Sequence, residues 1–120
     1  MQFDRYTITL LVLRPDAPAL DDAAAEELQS RHLAHLADLH DQGLLLAAGP
    51  LLGAPDRRFR GLSIWRAQPE EVTRITTEHP DPSVVAGRFE QLVIPWMVPA
   101  GALAFSHTFF PHSVAEAQPG

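Results

Sequence analysis

The sequence predicts an α+β fold in which helices cover one face of an antiparallel sheet. The length and composition indicate one globular domain, and the alternation of strand and helix segments indicates its class. The chain has 120 residues, which is about the size of a single domain. Hydrophobic residues make up 46% of it and charged residues 20%, as in ordinary globular proteins. Segments rich in β-branched residues alternate with segments that carry helix caps, so strands and helices share one core.

The first half of the chain predicts a strand, a long helix and a second strand. Residues 6–13 are rich in Thr, Ile, Val and Leu and end at an Arg-Pro pair. An aspartate at position 21 or 22 can cap a helix that runs to about residue 42. Gly43 then occupies the position where a left-handed helix cap is expected, and residues 44–50 follow as a short buried strand.

The second half predicts a strand, a helix, a short turn and a last strand. After a loop, residues 59–67 form the third strand, and a proline followed by two glutamates opens a helix over residues 69–78. The motif HPDP ends this helix, and residues 83–87 allow one further helical turn. Residues 88–98 form the last core strand, in which apolar and polar residues alternate up to Pro95.

This order is the ferredoxin-like βαββαβ arrangement. Apolar residues occupy both faces of the first strand, so the sheet face without helices needs a cover. A symmetric partner usually supplies it, and we expect a homodimer with sheet packed on sheet, a dimeric α+β barrel. We place the domain at residues 1–98 and a C-terminal extension at residues 99–120. In the extension, residues 102–110 could add an edge strand or reach over the partner subunit, and residues 111–120 are expected to fray.

The composition excludes several function classes. The net charge of −6 does not indicate the positively charged surface that binds nucleic acid. All basic residues are arginine, which excludes Schiff-base and phosphate-loop lysine chemistry. Without cysteine there is no disulfide, thiolate nucleophile or zinc–cysteine site, and a reducing cytoplasm is the expected location. No apolar run approaches the length of a membrane span, so we expect neither nucleic acid nor a membrane as a partner.

One histidine lies on the apolar face of the first predicted helix. At about 100° per residue, His32 falls near the middle of the apolar arc, whereas Asp38 and Asp41 point to the opposite face. A buried imidazole needs a hydrogen-bond partner, which must therefore come from elsewhere in the fold. A backbone carbonyl is one candidate. A metal is another, because His35 follows at i+3, but nothing on that face completes a ligand set and we expect no metal. His35 and His40 are interpreted as flank residues of the helix.

Two blocks of sequence resemble the YciI-like (YCII-related) family. HLAHLADLHDQGLLLAAGPL at residues 32–51 and DPSVVAGRFEQLVIPW at residues 81–96 occur in the family's order and at its separation. The resemblance covers residues 6–99. It implies a dimeric ferredoxin-like fold and an active site made of a histidine and an aspartate, here His32 and Asp81.

The implied pair supplies the partner that the helix geometry requires. An aspartate bonded to one ring nitrogen fixes the tautomer and raises the basicity of the other nitrogen. Asp81 has an alternative role, because an aspartate before proline can simply cap the turn at residues 83–87. The chain departs from the family at Ser83, where an aromatic residue is common, and at Arg88, where an apolar one is common. Both departures predict a more polar pocket.

Four further positions are candidates for substrate binding. Gly49 and Pro50 could bring a backbone amide close to a ligand, although a tight strand exit explains them equally well. Ser63 could face the pocket from the third strand, or be an ordinary strand residue. Arg88 could hold an anionic substrate, or be a solvated edge charge.

The resemblance implies a cofactor-independent lyase or isomerase that acts on a small oxygenated cyclic or aromatic metabolite. His32 would move the proton and Asp81 would orient its ring. The alternative is a non-catalytic dimer that binds a small ligand or a protein, with the two residues kept as a buried structural pair. The exposure of the His32 side chain to a pocket distinguishes these hypotheses, because a catalytic imidazole must line an open pocket.

Overall fold

The structure, a computed structural model, describes residues 1–53 and 55–118. Within these ranges an antiparallel sheet of order β2-β3-β1-β4 is formed by β1 (Phe3–Leu13), β2 (Leu45–Pro50), β3 (Phe59–Trp65) and β4 (Phe89–Pro99). The helices of the same ranges are α1 (Asp22–Asp41), α2 (Pro69–Glu78), α3 (Pro82–Val85) and α4 (Val114–Ala117). No helix in this described part is long and apolar enough to cross a bilayer. The fold is the predicted ferredoxin-like α+β arrangement, with α3 and α4 added to it.

Predictions for three residues lie outside the described ranges. Ala54 is predicted to belong to the loop before the third strand, and Pro119 and Gly120 are predicted to belong to a frayed end.

The strand boundaries differ from the predicted ones by more than one residue at two ends. β1 begins at Phe3 rather than at residue 6, and β3 ends at Trp65 rather than at residue 67. β4 continues beyond Pro95, which pairs with Thr7 of β1. In the sheet order β4 is an edge strand with β1 as its neighbour, and an edge strand tolerates a proline whose missing N–H would face away from the sheet.

The ends of α1 fix the rotation of the helix against the sheet. The Asp21 side chain caps its first turn by accepting a 2.7 Å hydrogen bond from the Ala24 N–H, as the sequence predicts. Gly43 has a φ of 78° and turns the chain from α1 into β2, which also agrees with the prediction. Leu28 and Leu39 are buried between these ends. The apolar arc that contains His32 therefore faces the sheet.

The core lies between the sheet and the helices. One cluster of buried hydrophobic residues joins α1, β2, β3, α2 and the turn between β3 and α2, and its members are Leu39, Leu45, Trp65, Ala67, Val72 and Ile75. The polar atoms among them are paired: the Trp65 indole donates to Thr9 Oγ1 at 2.9 Å, and Thr7 Oγ1 donates to the Ala67 carbonyl at 2.7 Å. A satisfied core of this kind holds α1 in one position relative to the strands.

The opposite face of the sheet is apolar and open. Residues paired directly across strands share a face, and Ile8 of β1 pairs with Ile64 of β3 and Ile94 of β4. Leu10 pairs in the same way with Leu62 and Leu92. Leu92 is 40% exposed and Ile94 38% exposed, so this face lacks a cover within the described chain.

The C-terminal extension packs against α1 of its own chain. Residues 102–112 form no strand, contrary to the edge strand that the sequence allowed, and a contact of this segment with a partner subunit stays a prediction. The Val114 N–H donates to Ser30 Oγ at 3.1 Å, at the start of α4. The segment that was expected to fray thus contains a short helix that docks on α1.

His40 anchors this extension, which corrects its interpretation as a flank residue. Its ring is 4% exposed and stacks between His107 and Phe110, with centroid distances of 4.6 Å and 3.9 Å. Nδ1 lies 2.7 Å from the Leu45 carbonyl, and Nε2 lies 3.2 Å from the Thr108 amide nitrogen. The angular position of His40 around the helix axis places it near the border of the apolar arc. The C-terminal extension, which this angle does not reveal, buries that border.

Candidate active site

The structure brings His32 and Asp81 together. His32 lies in the middle of α1, and Asp81 immediately precedes α3. Nδ1 of His32 is 2.6 Å from Oδ2 of Asp81, and the side chains are 13% and 3% exposed. The partner of the imidazole therefore comes from outside its own helix, as the helix phase requires.

Asp81 divides its two carboxylate oxygens between two tasks. Oδ2 bonds to His32, while Oδ1 accepts hydrogen bonds from the Ser83 N–H at 2.8 Å and from Ser83 Oγ at 2.6 Å. The bonds to Ser83 cap the first turn of α3. The two roles that the sequence offered for Asp81, helix cap and histidine partner, are thus compatible in one side chain.

The charge on Asp81 determines the tautomer of His32. Burial alone would raise the pKa of the Asp81 carboxyl, but the hydrogen bonds from His32 and Ser83 outweigh it, and the pKa lies below its ordinary value. An ionised carboxylate only accepts hydrogen bonds, so Nδ1 of His32 must carry the proton in this contact. In the neutral ring, Nε2 then holds the free lone pair. This is the arrangement of a general base.

His32 lines an open cleft of about 860 Å³. All four positions predicted to bind substrate line the same cleft, and they are Gly49, Pro50, Ser63 and Arg88. Asp81 does not line it and lies behind the imidazole. Among residues 1–53 and 55–118, Nε2 of His32 makes no hydrogen bond within the protein. The catalytic and binding roles of these residues remain predictions.

Ser83 does not make the cleft more polar, contrary to the expectation from the sequence. It is 2% exposed, absent from the lining, and both of its polar hydrogens point at Asp81. Its position two residues after an aspartate that precedes a helix turn is a recognisable capping pattern. That pattern could have identified Ser83 as a group that positions Asp81.

Part of the cleft wall comes from residues that were not among the predicted site residues. Thr108, Phe109, Phe110 and Pro111 of the extension line it, as do Arg57 and Arg60 at the start of the third strand. The contact between the extension and α1 joins residues far apart in the chain, such as His40 and Thr108, and no local pattern signals it. From the sequence, Arg57 and Arg60 could have been recognised as basic residues at the start of the third strand, which lies beside the cleft.

His35, one turn after His32, lies outside the cleft lining. Burial lowers the pKa of His35, against the opposing attraction of the Asp81 carboxylate. It is therefore neutral near pH 7 and adds no positive charge beside the pair. In the described part of the chain, no three His, Asp or Glu side chains come together as metal ligands would.

The sheet order, the covering helices and the cleft define a ferredoxin-like α+β protein with a candidate acid–base pair. No family model matches the chain, and no curated protein matches its sequence. The assignment of the fold rests on the topology of this chain itself.

Solved structures similar to this chain include proteins from three organisms. The 5-chloro-2-hydroxyhydroquinone dehydrochlorinase of Burkholderia phenoliruptrix, in complex with 2,5-dihydroxybenzoquinone, is 25% identical, with 76% of this chain and 92% of that chain covered and a TM-score of 0.47. A dimeric protein of ferredoxin-like fold from Bacteroides fragilis is 17% identical, with 78% and 95% covered and a TM-score of 0.40. A protein of Arabidopsis thaliana is 15% identical, with 82% and 99% covered and a TM-score of 0.43.

The lowered pKa of Asp81 predicts a specific acid sensitivity. A carboxyl whose pKa is lower in the folded chain stabilises the fold fully above its unfolded pKa of about 3.9, and this contribution is lost as the pH falls through the folded value. We expect Asp81→Asn to lower the free energy of unfolding by about 1–3 kcal/mol at pH 6, and the gap to the wild type to narrow towards pH 2. Urea denaturation at several pH values measures this gap.

Asp38→Asn is the control, because Asp38 lies on the exposed face of the same helix. Its gap to the wild type should stay small at every pH. A gap for Asp81→Asn that does not change with pH would show that the carboxylate is not the stabilised form.

Proposed function

We propose that this protein is a YciI-like enzyme that acts as a cofactor-independent lyase or isomerase on a small oxygenated cyclic or aromatic metabolite. One observation carries the proposal. His32 is bound to Asp81 through Nδ1 and at the same time lines an open cleft of about 860 Å³. A histidine that only stabilised the core would not need to reach a space large enough for a metabolite.

In this proposal Nε2 of His32 removes a proton from a carbon beside a carbonyl group of the substrate, which a phenol presents in its keto tautomer. The electron pair of the broken C–H bond enters the oxygenated ring. In an isomerase the imidazolium returns the proton to another atom. In a lyase the pair expels a leaving group as an anion, and the imidazolium then releases its proton to water. The Asp81 carboxylate stabilises the imidazolium that forms between the two steps.

Hydrogen–deuterium exchange tests this chemistry without knowledge of the natural substrate. A panel of cyclic 1,3-diketones, hydroxyquinones and halogenated hydroquinones is incubated with the protein in D₂O and followed by NMR. The proposal expects exchange or elimination on at least one member of the panel, about 10²-fold or more above the buffer rate. Rates equal to buffer across the panel, in a protein that binds members of it, would contradict the proposal.

The second candidate is a non-catalytic binding dimer. The bonds from Ser83 to Asp81 favour it, because they give the carboxylate a structural task that needs no substrate. This candidate predicts ligand binding in the cleft with no proton exchange. The same NMR experiment therefore separates the two, since binding shifts ligand signals whether or not exchange occurs.

We also propose that the protein is a homodimer that packs its open sheet faces together. Six aliphatic side chains of β1, β3 and β4 share this face, and they are Ile8, Leu10, Leu62, Ile64, Leu92 and Ile94. The face is continuous and lacks charge across these positions, and such a patch on a monomer is costly in water. A second copy presents the same surface, so a two-fold axis through the sheets covers both at once.

A single carboxylate in this face is expected to prevent association. Ile94→Asp places a charge at the pairing position of Ile8, and the two-fold axis buries it in both copies. We expect the dissociation constant to rise by about 10²-fold or more. Light scattering after size exclusion measures the mass. Val85→Asp is the control, because Val85 is 70% exposed on α3 and outside this face. A dimer that tolerates Ile94→Asp would exclude this interface.

A further inference from the structure

The charge of the cleft is opposite to the charge of the chain. The protein has a net charge of −6, yet the residues described along the cleft include Arg57, Arg60 and Arg88 and no aspartate or glutamate. Four of the other arginines lie within 4.0 Å of a carboxylate, and they are Arg14, Arg31, Arg58 and Arg74. In the described part of the chain the cleft arginines have no such partner. A cationic cleft in an acidic protein selects for anions.

Arg88 is held in a way that keeps its hydrogen-bond donors available. It follows Gly87, whose φ is 76°, and its guanidinium carbon lies 5.1 Å from the centre of the Phe89 ring. A guanidinium packed face-on against a ring keeps its N–H groups at its edge. Arg60 uses its Nε to donate to the Arg57 carbonyl, which leaves its two terminal nitrogens for a ligand. Such edges match the two oxygens of a carboxylate.

Aromatic side chains supply the rest of the wall. Phe59 and Phe89 are half-buried beside the arginines, and Phe109 and Phe110 come from the C-terminal extension. Phe109 is 66% exposed, which is unusual for a phenylalanine without a further contact surface. Phenyl rings around an opening favour a flat apolar ring as the ligand.

We propose that the cleft binds a small aromatic or cyclic carboxylate. Arg88 and Arg60 hold the carboxylate, the phenylalanines contact the ring, and Nε2 of His32 faces a ring position away from the anchored group. This inference rests on the proposed function, because it names the substrate class of the same site. An anchored carboxylate fixes which ring carbon meets the base, and so would determine the regiochemistry of proton transfer.

Two ring probes that differ only in the carboxylate test the proposal. Calorimetric titration compares 2,5-dihydroxybenzoate with hydroquinone on the full-length protein. We expect the carboxylate to bind at least about tenfold more tightly, and Arg88→Gln or Arg60→Gln to remove about tenfold of that affinity while binding of hydroquinone is unchanged. Unchanged hydroquinone binding also shows that the variants are folded. Arg66→Gln is the matched control, because Arg66 lies outside the cleft and donates to the Gly43 carbonyl.

Equal affinity for the two probes, insensitive to both cleft substitutions, would overturn the carboxylate proposal and leave the proton-transfer proposal standing. The absence of binding by 2,5-dihydroxybenzoate at millimolar concentration would overturn it as well. Tight carboxylate binding without any proton exchange on the ring panel would have the opposite meaning. It would support the ligand class and contradict the enzymatic function.

Discussion

Replacing His32 with glutamine is expected to reduce the rate of proton exchange by about 10²–10⁴-fold. Glutamine can still donate a hydrogen bond to Asp81 from its side-chain amide, but it has no basic nitrogen with which to accept a proton. Because Nδ1 of the imidazole is already bonded to Asp81 at 2.6 Å, Nε2 is the ring nitrogen that remains to act as the base. The loss should appear in the catalytic rate and leave ligand affinity within a few-fold.

His35→Gln provides the matched comparison for this experiment. His35 lies on the same helix and is also a partly buried histidine, but it does not line the cleft. Its substitution should change the exchange rate by no more than a few-fold. A similar loss in both variants would indicate a general effect of disturbing α1. An unchanged rate in His32→Gln would exclude His32 as the base.

The pH profile of the exchange rate separates the role of Asp81 from that of His32. In the wild type the carboxylate stabilises the imidazolium, and its replacement by an amide removes that stabilisation. Asp81→Asn should therefore reduce the rate on the plateau of this profile. A carboxylate that only capped α3 would leave the plateau unchanged.

Most of the fold could be predicted because its signals are local. The cap at Asp21 and the glycine at position 43 fix the ends of α1, and both act within a few residues of themselves. The order of strands and helices then leaves few topologies. The predicted and observed ends of β4 differ by one residue, although whether a strand tolerates a proline such as Pro95 depends on a non-local property, its place at the edge of the sheet.

Only part of the candidate site could be predicted, because its contacts join residues that lie far apart in the sequence. Helix phase places His32 against the sheet, and the family resemblance names Asp81. The contact of His32 with Asp81 spans 49 positions of sequence, and that of His40 with Thr108 spans 68. No periodicity encodes such a pairing. The family resemblance supplies the first pairing, but it covers only residues 6–99 and so does not include Thr108, and His40 was interpreted only from its position around the helix axis.

His40→Ala is expected to lower the free energy of unfolding by about 3 kcal/mol and to release the C-terminal extension. The substitution removes the ring that stacks on His107 and Phe110, and it leaves the Leu45 carbonyl and the Thr108 N–H without their partner. The Leu45 carbonyl belongs to a residue that is fully buried, so water does not easily replace the lost bond. Residues 105–118 should then lose protection in hydrogen-exchange mass spectrometry, while β1 and β3 keep theirs.

This release should also change the cleft, because the extension forms part of its wall at Thr108, Phe109 and Phe110. Ring ligands are expected to bind several-fold more weakly to His40→Ala even at temperatures where the core is fully folded. His79→Ala is the control, since His79 is an exposed histidine at the end of α2 and lines no part of the cleft. If His40→Ala lowers stability but leaves both protection of the extension and ligand affinity unchanged, the extension is held by its other contacts, such as the bond from Val114 to Ser30. If all three change together, one buried histidine couples the stability of the extension to the shape of the binding site.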